Sequence, residues 1–300
     1  MCKHNVQRGF TIIELMVSLA IGLLVSVAAV SLFVSNQTSF NLQKGVSDVG
    51  DNGRFAMEYI AQQTRQAGYV PINGSTNEWP QLVTVASDLP GGVAGIISRE
   101  GLPPLPSSTG AYAQGGIGRS DSLTMQYYTP IATRDCEGDA VPASDPSGSS
   151  PTEIYVVNRF FLRADPSAGT GSALVCEGGY HNGLTLTNFD TGNTKGAVLL
   201  SSVDNLQILI GVANTAAGAR NSPQQYVTIA AYAALPTPRP PISAMRVGML
   251  VSSLDKAGNS VTPPTAATNV LTESIPAVSV PADKRVRKVF ASTISFRNVF

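Results

Sequence analysis

The chain has 300 residues; Lys+Arg 20 balance Asp+Glu 20, only 13% of residues are charged, and 28 glycines and 20 prolines punctuate it. A net charge of zero lacks the basic footprint of nucleic-acid binders, so no direct nucleic acid partner is expected. A chain of this length buries a sizeable core without help from a cofactor, and its Gly/Pro content predicts short strands joined by many turns.

The N-terminus carries most of the functional signal. Met1 to Gly9 is polar and contains Lys3, His4 and Arg8 without an acid, as a cytoplasmic flank does. From Phe10 to Val34 runs FTIIELMVSLAIGLLVSVAAVSLFV, which as a helix measures roughly 37 Å and spans a bilayer with some tilt. Glu14 lies in this run with no Lys or Arg nearby. A carboxylate at membrane depth costs about 2.5 to 3.5 kcal/mol on insertion scales, so it marks a functional position. Three readings compete: a secretory signal cut near Ser26-Val27-Ala28, a plain signal anchor, and a processed assembly helix. The first has an overlong apolar region, and neither of the first two uses Glu14.

MCKHNVQRG followed by FTIIEL resembles the processing site of type IV prepilins. That resemblance implies cleavage by a prepilin peptidase between Gly9 and Phe10 and N-methylation of Phe10. It also places Glu14 at the fifth mature position, where its carboxylate forms an assembly salt bridge with a free Phe10 amine in the packed helices. Three further stretches, DNGRFAMEYIAQQTRQAGY (Asp51 to Tyr69), VDNLQILIGV (Val203 to Val212) and VFASTISFRN near the C-terminus, resemble the PilW family of type IV pilus minor pilins. The implied partners are other minor and major pilins, the prepilin peptidase, the inner membrane and a tip adhesin. The implied location is the inner membrane with a periplasmic head, then the pilus. A type II secretion pseudopilin and a signal-anchored periplasmic binding protein remain the alternatives. Motility, adhesion and DNA uptake are all open to such a fibre.

Once a leader holding Cys2 is removed, Cys136 and Cys176 remain, and in an exported domain they are expected to form a disulfide stabilising by about 4 kcal/mol; in a cytosolic protein they would stay as two thiols. Neither has metal-ligand spacing around it.

Residues 35–68 are polar but periodic, with Phe33, Phe40, Val46, Val49, Phe55, Tyr59 and Ile60 near one side of a helix. Gly45, Gly50 and Gly53 each cost about 1 kcal/mol against alanine, which predicts a bend or break at 45–53. A second helical segment is then expected, capped by Asp51 or Asn52, with Phe55, Tyr59 and Ile60 on the head. Arg54 and Arg65 read as solvated, with partner binding the other option. Strands are predicted at 81–87, 122–128, 153–164, 196–200, 205–213, 245–253 and 285–296, the last burying Phe290, Ile294 and Phe296 by period two. Gly/Ser/Pro-rich loops are expected at 100–120, 137–152, 214–224 and 255–284.

Catalytic signals are thin: His4 would leave with the leader, His181 reads as a lone loop residue, and there is no Gly-x-Ser-x-Gly elbow. Gly115, Gly116 and Gly118 lack the flanking strand and helix of a phosphate cradle, and no acidic spacing fits a calcium loop. The expectation is therefore a non-enzymatic subunit without cofactor or metal. Its fold class is α+β: leader 1–9, transmembrane assembly helix 10–34, amphipathic continuation 35–70, and a β-rich head 71–300 in which the long pilin-like helix packs on an antiparallel β-sheet.

Overall fold

Thr11 takes an extended backbone and caps a single helix, α1 (Ile12–Thr64), that runs 53 residues without interruption, about 80 Å at 1.5 Å per residue. In this computed structural model the described residues are 10–69, 82–83, 96–102, 119–145, 153–165, 171–190, 195–213, 223–236, 239–257, 261–262, 264–280 and 282–296. The expected leader 1–9 and the glycines at 115, 116 and 118 lie outside them, as do parts of the expected loops and of the expected strand at 81–87.

The expected break at 45–53 and the cap at Asp51 or Asn52 are not found. Packing outweighs propensity here. The residues α1 buries, Gly45, Val49, Gly53, Ala56, Met57, Ile60, Ala61 and Thr64, recur every three or four positions and form a stripe of small and apolar side chains. Two of the glycines lie in that stripe, but only at Gly53 does the head come too close for a larger residue. A Cβ on Gly53 would collide with the Phe290 ring, and one on Gly45 would touch Ser253, Val286 and Ala257 at about 3.5 Å. Burying Val49 and Ile60, both 1% exposed, is worth about 1.5–3 kcal/mol each and repays the helix-propensity cost of the glycines. The rest of the expected stripe lies off this face: Phe33, Phe40, Val46 and Phe55 are exposed. Phe55 does not touch the head core but stacks on Tyr59.

The head follows as β1 (Leu82–Val83), β2 (Ile96–Leu102), β3 (Ser120–Tyr128), β4 (Thr133–Arg134), β5 (Ala140–Val141), β6 (Tyr155–Ala164), β7 (Ser172–His181), β8 (Leu186–Thr187) and β9 (Ala197–Ser201). Next come β10 (Val203–Ala213), β11 (Pro223–Val227), the short helix α2 (Ile229–Ala233), β12 (Ile242–Ser252), β13 (Thr268–Val270), β14 (Glu273–Ile275) and β15 (Arg287–Ser295). The first sheet has seven strands in the order β1-β2-β3-β6-β7-β8, with β9 also on β7; the second has four, β11-β10-β12-β15. All their pairings are antiparallel except β1 with β2. Small hairpins β4–β5 and β13–β14 occupy parts of the stretches expected as loops, as does β11 at Pro223.

One apolar core joins α1 to both sheets: Val49, Met57 and Ile60 meet Phe160 and Leu174 of the first sheet and Ile208, Met249 and Ile294 of the second. The period-two reading of the last strand holds, with Ile294 and Phe296 buried and Phe290 half-buried against α1. The sheets are also tied by polar contacts, Ile208 N–H donating to Asp121 Oδ2 at 2.8 Å and Asn205 Nδ2 to the Arg119 carbonyl at 3.0 Å. On the second sheet Arg287 donates to Asp204 at 2.8 Å and, with both terminal nitrogens, to Asp283 at 2.8 and 2.7 Å. Burial pushes the Asp204 carboxyl up, with Arg287 offsetting part of it.

Candidate functional site

The site is the exposed half of α1 together with the contacts that fix its other half to the head. Every large apolar side chain from Phe10 to Val34 that is described as exposed shows more than half its surface, Phe10 as much as 89%, and the helix is long and apolar enough to cross a membrane. Its hydroxyls are satisfied within the helix: Ser18 donates to the Leu15 carbonyl, Ser26 to Gly22 and Thr38 to Val34, at 2.8–2.9 Å. A segment in lipid needs this, because hydrocarbon offers polar groups no partner.

Glu14 has a role inside the chain that the sequence reading overlooked. Thr11 N–H and Thr11 Oγ1 both donate to Glu14 Oε2 at 2.9 Å, and Glu14 N–H returns a bond to Thr11 Oγ1. This is a capping box, and Thr-Ile-Ile-Glu ahead of an apolar run is its sequence signature. The carboxylate is thus held one helical turn from Phe10. Phe10 itself precedes the first turn of α1 and is open to solvent.

The lower half of the helix is locked to the first sheet around a disulfide. Cys136, in the β4–β5 turn, is bonded to Cys176 in β7, with Cα atoms 6.1 Å apart. Cys136 N–H donates to Asn158 Oδ1, Asn158 Nδ2 to Gln63 Oε1 of the helix at 3.1 Å, and the Tyr59 hydroxyl to the Cys136 carbonyl at 3.5 Å. Tyr59 also meets Phe160 edge-on. On the membrane side Lys44 pairs with Asp255 at 2.9 Å. Arg54 and Arg65 are exposed, as read from the sequence, and Arg65 pairs loosely with Glu58 at 3.7 Å.

His181 is not a loop residue. It ends β7, is buried, and stacks on Tyr155. Gly183 N–H donates to its Nδ1 at 3.1 Å, so Nε2 carries the proton and donates to Gln126 Oε1 at 2.8 Å. Burial lowers its pKa to about 4. Nδ1 holds the loop after β7 and Nε2 ties the strand end to Gln126 of β3, which is a structural use of both nitrogens. Glu177, four residues earlier, is 2% exposed; its Oε1 accepts from Asp190 N–H at 2.7 Å. Its cross-strand partner is Arg159, which lies over the Phe189 ring. Burial raises the Glu177 pKa to about 7 despite Arg159. Among the described residues no group of three or more His, Cys, Asp or Glu is arranged to hold a metal ion.

Residues 4–30 match the prokaryotic N-terminal methylation motif. A long exposed apolar helix behind that motif, seated on a two-sheet head, defines a type IV pilin-like protein. Residues 159–298, from β6 past the end of β15, match the type IV pilus-assembly protein W model. Over that stretch the chain is similar to the PilW family. Among solved structures it is similar to a type IV-like pilin from Thermus thermophilus, at 14% identity and a TM-score of 0.39 over 83% of this chain and 96% of that one. No curated protein sequence matches it. The fold class rests on the helix and sheets described above.

Proposed function

We propose that this chain is a minor pilin that helps initiate or cap pilus assembly. It is stored in the inner membrane with its head in the periplasm, cut by a prepilin peptidase between Gly9 and Phe10, and methylated at Phe10. The carboxylate of Glu14 then pairs with a Phe10 amine during assembly, and the head meets other minor and major pilins, with a tip adhesin as a further partner. The observation that carries the reading is the uncovered apolar stretch of α1 continuing without a break into a half clamped to the head. A subunit so built transmits a pull on its membrane helix straight to the head, as a structural element of a fibre must. No turnover chemistry is part of it. The PilW match favours a pilus over a secretion pseudopilus.

The test is the mass of the N-terminal peptide from cells with and without active prepilin peptidase. A peptidase-dependent, methylated Phe10 supports the reading; an intact Met1, or a start near Ala29, overturns it. Glu14→Ala should stay in the membrane yet be poorly recovered in sheared pili, and normal recovery would remove the assembly role of Glu14.

A further inference from the structure

β15 closes the second sheet, and only one of its two edges is paired. It lies against β12 throughout. The bonds flanking that ladder, from Ser253 N–H to the Val286 carbonyl and from Phe296 N–H to the Ser243 carbonyl, fix its parity. Even-numbered residues turn their N–H and C=O groups to β12. Those of Val289, Ala291, Thr293 and Ser295 point the other way, since an antiparallel strand alternates its bonding edge residue by residue. Among the described residues none bonds to these outward groups, and Ala291, Thr293 and Ser295 are exposed. From Val289 to Phe296 the strand carries no charge, glycine or proline. A long, uncharged, open edge invites pairing with another chain, and folded proteins usually blunt it. The other described edges are blunted: β11 holds Pro223 and pairs across an irregularity at Val212 and Ala213, while β1, β8 and β9 span only Leu82–Val83, Leu186–Thr187 and Ala197–Ser201.

The helix sets the direction from which a partner comes. Gly45 meets Val286 and Gly53 meets Phe290. Eight helical residues rise about 12 Å and four strand residues about 13 Å, so β15 runs alongside α1, away from its apolar half. We propose that the β15 edge takes an extended, uncharged strand from the head of a different pilus subunit, which lengthens the second sheet by one strand. This rests on the pilin reading given above. A row of outward N–H and C=O groups is matched by the backbone of another strand. That strand is uncharged because a charge laid across Val289 to Phe296 would lose water and meet no counter-charge. A second copy of this chain does not fit. Two β15 edges meeting antiparallel about a two-fold axis would point their α1 helices in opposite directions, unlike helices anchored in one membrane, and the copy's other described edges are the short or proline-bearing ones.

Proline at position 291 removes an outward N–H and leaves the bonds to β12 in place, so the full chain with Ala291→Pro should fold, stay in the membrane and be processed at Phe10 as the parent is. Its recovery in sheared pili should fall about tenfold. Ala291→Lys keeps every backbone group and puts an ammonium on the edge; its recovery should fall likewise, while Ala291→Ser should match the parent. In detergent, amide exchange in the parent should be fast at Val289, Ala291, Thr293 and Ser295 and slow at Phe290, Ser292 and Ile294. A photoreactive p-benzoylphenylalanine replacing Ser295 should cross-link, in pili, to an uncharged strand of another protein that has its own apolar N-terminal helix. Slow exchange at the odd-numbered positions in detergent overturns the proposal, because the chain would then cover its own edge. A cross-link to a second copy of this chain overturns it too. A parent absent from pili removes the pilin reading and this proposal together, whereas a parent recovered equally with the proline and lysine variants removes the edge assignment alone.

Discussion

Glu177 and His181 sit on one strand, both nearly excluded from water, and burial moves their pKa values in opposite directions. Glu177 rises from 4.5 to about 7, so the folded chain holds its proton more tightly than the unfolded chain. Its contribution to stability therefore falls as pH rises from about 4.5 to 7. His181 drops from 6.5 to about 4, so the unfolded chain takes up a proton that the folded chain refuses. Its contribution is present above pH 6.5 and lost as pH falls to about 4. At about 1.4 kcal/mol per pH unit each effect is of order 3 kcal/mol, and with opposite signs over overlapping windows they nearly cancel. The full chain in detergent, unfolded by urea and followed by near-UV circular dichroism, should show stability flat to about 1 kcal/mol between pH 4.5 and 6.5. Glu177→Gln keeps the acceptor for Asp190 N–H and removes the titration, so this variant should lose about 3 kcal/mol on acidification from pH 6.5 to 4. His181→Gln should gain stability over pH 7 to 4.5. Parallel curves for the parent and both variants would refute burial as the cause.

Gly53→Ala should gain about 1 kcal/mol of helix propensity but lose more by pushing Phe290 aside, for a net loss of about 1–2 kcal/mol. Combining it with Phe290→Leu should recover most of that loss in a double-mutant cycle of urea midpoints. Asp204→Ala leaves Arg287 with one partner in a mostly buried site and should cost about 3 kcal/mol in the same assay, against under 1 kcal/mol for the exposed Asp255→Ala. Replacing Cys136 and Cys176 together by serine should cost about 4 kcal/mol and free Tyr59 and Gln63, seen as faster amide exchange over 59–64.

Three of the four strands of the second sheet are legible within a few residues: 205–213, 245–253 and 285–296 correspond to Val203–Ala213, Ile242–Ser252 and Arg287–Ser295, while Pro223–Val227 is not. Each of the three is a long apolar or alternating run bounded by turn residues. Ser172–His181 escaped notice because its apolar part is only Ala173 to Cys176, followed by Glu177 and two glycines that read as a turn. Those glycines serve close contact instead, Gly178 against Asp135 and Gly179 against Thr187 and Phe189. The same error of reading glycine as weakness produced the expected helix break. At the functional end, the membrane-spanning run and the odd carboxylate were plain in the sequence. The Thr11–Glu14 capping box was equally plain by its spacing but was read only as an assembly signal. The burial of Glu177 and His181 had no local signature, since it arises from strands and loops that the sequence places far apart.

The pairing of Gly53 with Phe290 joins two parts of the chain separated by most of its length. During synthesis the helix emerges first and its partner strand almost last, so at 5–20 residues per second the groove-forming stripe of α1 waits roughly 10 to 50 s for its cover. For that interval Val49, Met57 and Ile60 lack their cover from the second sheet, with that half of the core still inside the ribosome or in transit. Truncating the chain before β15 would make the wait permanent, and the nascent head would be exposed to proteases along the segment that the finished subunit hides.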